Sequence, residues 1–197
     1  MKFDFSQPIK LENERVILRP LEQNDFTYLL PFSKNEKDLW DFSLTPASGA
    51  ENLQTYIDTA LTAKEKLQAY PFVVFDKQVH KIAGSTRFYD IQITHNVLSL
   101  GYTWYGAEFQ RTGLNRNCKY LLLSYAFDVL GVDRVEFRAD LRNVKSIQAM
   151  KQIGCTQEGI LRSNCSASDG RRDSIVFSIL KPEWDQKVKT HLQSKLY

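Results

Sequence analysis

The chain has 197 residues, 43% of them hydrophobic and 25% charged, with no Pro/Gly/Ser-rich linker or shift in composition, so a single domain over residues 1–197 with one sizeable core is expected. A 12% aromatic share argues against disorder, and a net charge of +3 without a Lys/Arg block excludes a nucleic-acid tail. The opening MKFDFSQPIK lacks the apolar run of a signal peptide, and about 18 consecutive apolar residues occur nowhere, so a cytoplasmic protein without a membrane partner is expected.

After Glu14 the run RVILRP predicts a short strand, and Asn24 or Asp25 is placed to cap a following helix. In the next helical stretch Leu53, Tyr56, Ile57, Ala60, Leu61 and Leu67 share one face. The aromatic loop between the two helices, DLWDFSLTPASG, is either a lid or a hydrophobic latch. PFVVFD, KIAGSTRFYDI and VLSLGYTWY predict three antiparallel strands in a meander. A helical stripe of Leu114, Cys118, Leu121, Leu122, Tyr125 and Val129 follows, stopped at GVD. RVEFRAD alternates as a strand, NVKSIQAMKQIG is helical, EGILRSN and DSIVFSIL are strands, and a polar helix closes the chain. The step from GYTWY through a helix to RVEFRAD is a crossover that requires parallel strands. The fold class is α/β with mixed strand direction.

Cys118, Cys155 and Cys165 are odd in number and lack CxxC spacing, so reduced thiols are expected, with Cys118 in the apolar stripe as a core residue. His80, His95 and His191 stand singly, and no metal site is expected. The informative stretch is GYTWYGAEFQRTGLNRN, a strand ending in a glycine-broken polar turn before a helix. First-turn amides of a helix lack backbone partners and carry the positive end of its dipole, so the turn is suited to an anion. Gly113 permits close backbone approach, and Arg111 and Arg116 add charge. Neither GxxxxGK[ST] nor GxGxxG is present.

The turn, Gln110, Arg111, Thr112, Gly113, Leu114 and Asn115, resembles the acyl-CoA-binding motif Q/R-x-x-G-x-G/A of the GNAT N-acetyltransferases. With DLRNVKSIQAMKQIGC and GRRDSIVFSILKPEW, the likeness runs from about Arg15 to Trp184 and is to the branch typified by ribosomal-protein alanine acetyltransferases. It implies a GNAT-like mixed, mostly antiparallel central sheet with flanking helices and a splayed parallel strand pair. It also implies acetyl-CoA as co-substrate, with its pyrophosphate on the amides from Gln110 to Asn115, and with the amides of Trp104 and Tyr105 pairing with the pantetheine arm as an added strand would. By the same resemblance Asn143 and Ser146 join the cofactor site, and Ser146 protonates the leaving thiolate where many relatives use a tyrosine at the position of Met150. Tyr105 and Tyr102 are the alternative proton donors. Asn115 stands where a small residue is usual, and Ser99 where relatives of this branch often carry glutamate.

For the general base, Asp90, Glu108, Glu136 and Asp140 are all eligible, and nothing in the spacing selects among them. The implied activity is acetyl transfer to a primary amine, either a protein amino terminus or a small molecule. A catalytically weakened acyl-CoA-binding module and an RNA- or ribosome-binding protein are the competing functions. The expected partners are the amine acceptor and a second copy of the chain as a homodimer, with no specific nucleic acid.

Overall fold

A computed structural model describes residues 1, 3–167 and 169–196. Its strands are β1 (Leu11–Glu12), β2 (Val16–Pro20), β3 (Ala69–Asp76), β4 (Lys81–Gln92), β5 (Val97–Tyr105), β6 (Arg134–Asp140), β7 (Thr156–Ala167) and β8 (Gly170–Leu180). They form one sheet in the order β1-β2-β3-β4-β5-β6-β8-β7, antiparallel throughout except between β5 and β6. The helices are α1 (Phe26–Asn35), α2 (Ala50–Glu65), α3 (Leu114–Ser124) and α4 (Val144–Ile153), and a helical segment spans 181–193.

Strand alternation sorts the layers. Trp104 packs on Phe32 of α1 and lies near Tyr56 of α2, whereas its neighbour Tyr105 bonds Asn115 of α3, so α1 and α2 cover one face and α3 the other. Helices on both faces explain why β3, AYPFVVFD, is buried along nearly its whole length rather than at alternate residues. The terminal segment is docked rather than solvated: Trp184 is buried, stacks on Phe127 at 5.4 Å and donates its indole N–H to Asp128 at 3.0 Å.

Three helix details depart from the periodicity. Asp25 does not cap the first turn of α1; its buried carboxylate accepts both Arg19 Nη atoms, at 2.9 and 2.6 Å, and the Glu22 N–H at 2.9 Å. Leu67 lies beyond α2, exposed, at φ +59°. The stripe of α3 continues into a π-helical turn over Tyr125–Leu130, whose extra residue per turn rotates the apolar face, so Ala126, Phe127 and Leu130 are buried while Val129 is 66% exposed.

The feature that makes the site is a divergence in the sheet. β5 and β6 pair only at Val97 with Arg134, Leu98 with Val135 and Ser99 with Glu136. Beyond that point β5 stays with β4 as far as Tyr105, while β6 stays with β8 as far as Asp140. The register of β4 on β5 slips between Ser85 and Arg87, where Tyr102 sits at φ +49°. A bulge of this kind bends its strand and increases its twist, which carries β5 away from β6.

Candidate active site

The open edge of β5 has a defined polarity. The Gly106 N–H donates to Ala83 O at 3.0 Å, and Trp104 pairs with Ser85. Strand alternation then turns the Trp104 amide into β4 and the Tyr105 amide into the gap. This corrects the expectation that both amides are open. The Tyr105 carbonyl shares the open side and accepts Gln110 Nε2 at 3.0 Å.

The turn below the gap is built from two left-handed residues, Arg111 at φ +63° and Gly113 at φ +86°, on either side of Thr112. Such alternation points successive amides to one side and forms an anion-binding concavity. Among the described residues the amides of Arg111, Thr112, Gly113 and Asn115 have no hydrogen-bond acceptor, and that of Leu114 has only Thr112 Oγ1 at 3.4 Å. A Cβ built on Gly113 meets nothing within 4 Å, so the space above it is open. A depression of about 420 Å³ lies there, lined by Arg15, Arg111, Gly113, Arg116 and Lys195 among others. Four of these carry positive charge. Arg15 is paired with Asp76 at 2.8 Å, and Arg116 reaches Lys195 O at 2.7 Å. Arg15 and Lys195 were not legible as site residues. They arrive from opposite ends of the chain, one held near by Asn13 Nδ2 donating to Asn117 Oδ1 at 2.9 Å and the other by the docked terminal segment. Open amides, open space and basic lining fit the diphosphate of an acyl-CoA.

The fold is shared with known proteins. The profile described as an acetyltransferase (GNAT) domain matches residues 15–156. The chain belongs to the GNAT acetyltransferase family. YdaF of Bacillus subtilis (strain 168), named provisionally as a ribosomal N-acetyltransferase, is 26% identical over 181 residues, 88% of this chain and 95% of that protein. The crystal structure of a GCN5-related N-acetyltransferase from Brucella melitensis has a TM-score of 0.89 at 26% identity, covering 97% of this chain and 86% of the other. The microcin C7 self immunity acetyltransferase MccE, crystallised with acetyl-CoA and AMP, shares the fold at a TM-score of 0.76 and 21% identity, over 85% of this chain and 93% of its own. The protein is an N-acetyltransferase of a family that draws its acetyl group from acetyl-CoA.

The proton-transfer candidates of this acetyltransferase separate by geometry. Asn143 caps α4, its Oδ1 accepting the Ser146 N–H at 3.0 Å. The half-buried Ser146 hydroxyl has no hydrogen-bond partner among the described residues, while Met150 is buried one turn on. The buried Tyr105 hydroxyl donates to Asn115 Oδ1 at 3.2 Å, and burial raises its pKa well above the usual value, which makes it a weak acid for a thiolate. The same bond turns the Asn115 side chain toward Tyr105, leaving its amide open. The carboxylates proposed as bases are engaged elsewhere. Glu136, beside Ser99 in register, bonds Arg134 at 2.8 Å and Arg138 at 2.6 Å. Asp140 is buried against Arg142, which holds its carboxyl below the usual range. Glu108 is exposed beside Lys81 at 3.7 Å, and Asp90 is exposed near Gln92.

Sequence periodicity gave no sign of Lys119. It lies buried on α3, and its ammonium donates to Thr103 Oγ1 on β5 at 2.9 Å, with Thr86 Oγ1 a further 2.7 Å along. No carboxylate pairs with it among the described residues, and desolvation pushes it down to about 8. Cys118 and Cys155, which lie close enough to feel its charge, are pushed up to about 12 by burial and stay neutral thiols. On the opposite face the α1–α2 loop buries Trp40 against Trp104 at 5.0 Å, and its Phe42 carbonyl accepts Arg172 of β8 at 3.3 Å. The loop is therefore latched at Trp40 and also bridges to the β7–β8 hairpin.

Proposed function

We propose that this enzyme transfers an acetyl group from acetyl-CoA to a primary amine, and that the preferred amine is a protein or peptide amino terminus. The observation that carries the first half is the set of open amides from Arg111 to Asn115 facing a basic depression, in line with the inward amide of Tyr105. Bound there, acetyl-CoA supplies an activated acyl group on a thiol leaving group. The chain holds the diphosphate on its α3 turn, offers the Tyr105 amide to the pantetheine arm, and presents the Ser146 hydroxyl as proton donor from the first turn of α4.

The second half follows from the bases. A neutral amine is needed for attack, and each candidate carboxylate is either held by arginines or exposed beside a lysine or glutamine partner. An α-amino group has a reference pKa of about 7.7–8.0 and a lysine about 10.4, so stripping the lysine proton near neutrality costs roughly 3 kcal/mol more. A site without a free base favours the easier amine. The name of YdaF, which concerns ribosomal acetylation, supports the same acceptor class. The test is a panel of short peptides with the amino terminus free or blocked, with and without lysine, followed by mass spectrometry. Acetylation of free amino termini is expected. Acetylation of lysine in blocked peptides with none on free termini would overturn the acceptor assignment.

A further inference from the structure

Arg87 lies on β4 opposite Gly101, on the same sheet face as Trp104 and beside the bulge at Tyr102. It is only 4% exposed, and among the described residues no carboxylate pairs with it. Its guanidinium is held by ring faces, with Tyr102 at 4.1 Å and Tyr56 at 5.1 Å, and its buried Nε has no hydrogen-bond partner. Cation–π contacts compensate only part of the cost of removing a charge from water. The other buried arginine of the chain, Arg172, is different: it bonds Ser174 Oγ at 3.1 Å and Phe42 O at 3.3 Å and lies near Asp140. Arg87 thus stands ready for an anion that the chain itself does not provide.

Its surroundings locate that anion. Tyr56, one wall of the guanidinium, accepts the Trp104 indole N–H at 3.3 Å and lies 3.5 Å from Tyr102 O, so the wall is tied to the bulged segment of β5. The same tyrosine borders a depression of about 240 Å³ shared with Thr45, Asn52 and Thr55. The α3 turn lies on the opposite face, so Arg87 faces the side left for the acceptor. Neighbouring strands are about 4.8 Å apart, and an amine attacking in the gap beyond β5 stands one to two strand spacings from Arg87. We infer that Arg87 binds a carboxylate carried by the acceptor a few bonds from its reacting amine, supplied either by a free amino acid or by an acidic first residue of a peptide. This rests on the acetyltransferase reading of the site and adds the charge of its acceptor.

Two matched pairs test the inference. Alanine against alaninamide varies the α-carboxylate of a free amino acid, and a peptide beginning with Asp against the same peptide beginning with Asn varies the side chain. In at least one pair the wild-type enzyme is expected to favour the carboxylate by about thirtyfold or more in kcat/KM, mainly through KM and expressed per neutral amine because alanine's amine is more basic than alaninamide's. Arg87→Gln should bring that ratio close to one, and Arg87→Lys should restore part of it, with acetyl-CoA affinity by calorimetry as the control. No preference in either pair by the wild-type enzyme would overturn the inference even if Arg87→Gln fails to fold, as would a preference that persists in folded Arg87→Gln. The pairs compare carboxylate with amide per neutral amine, so their outcome is separate from whether α-amines or lysines are acetylated.

Discussion

Replacing Lys119 with methionine should stabilise the protein at neutral pH. Burial holds the ammonium at about 8, against an ordinary value of 10.5. At 1.36 kcal/mol per pH unit that gap corresponds to about 3 kcal/mol of destabilisation whenever the native state carries the charge. Between about pH 8 and 10.5 the unfolded chain binds the proton and the native state does not, so this penalty diminishes as pH rises through that window and is fully present below it. Methionine removes the charge and fills similar volume, while the hydrogen bond to Thr103 is lost at a cost of about 1 kcal/mol. Thr103 keeps Thr86 as a partner at 2.7 Å. The net gain is about 2 kcal/mol at pH 7, or about 4–8 °C in Tm for a chain of this size, and it should vanish at about pH 10 and reverse above it, where only the lost hydrogen bond remains. Urea unfolding of both proteins at pH 7 and pH 10 measures this as a difference of differences. A variant less stable than wild type at pH 7, or a gain that does not depend on pH, would refute the reasoning.

Gly113→Glu should remove acetyl-CoA binding while the chain remains folded, because a Cβ there meets nothing within 4 Å and the φ of +86° adds only about 1–2 kcal/mol of strain; calorimetry beside a thermal melt checks both. Ser146→Ala should reduce kcat by about 100-fold or more with little change in acetyl-CoA affinity, as expected of a general acid, and near-normal turnover would remove that role. Tyr105→Phe should reduce kcat by less than about tenfold, since its hydroxyl is held by Asn115 and its pKa lies well above the usual value; a loss as large as that of Ser146→Ala would move the acid to Tyr105.

The sheet was legible because its strands carry two local signals at once, β-branched or aromatic runs and polar breaks, and because the crossover into RVEFRAD admits only a parallel pair. Gln110 to Asn115 were legible as a turn before a helix, and the structure adds what residue types cannot encode, the positive φ at Arg111. Val129 was misplaced because a 3.6-residue period was carried through a segment that winds as a π-helix. Leu67 was misplaced because periodicity gives no stopping point within two residues of a helix end. Trp104 and Tyr105 look equivalent in sequence, and only the register on β4 separates their amides. Arg87, Lys119, Arg15 and Lys195 belong to surroundings assembled from distant segments. A charged residue gives no local sign that it will be buried without a counter-ion.

The most direct measurement is the affinity of the wild-type protein for acetyl-CoA compared with S-acetylpantetheine, which keeps the thioester and the arm but lacks the diphosphate and nucleotide. If the open amides of the α3 turn and the basic depression hold the diphosphate, acetyl-CoA should bind at least about a hundredfold more tightly, with the difference shrinking as salt is raised. Equal affinity for the two, or a difference insensitive to salt, would contradict the assignment of this turn as the phosphate cradle.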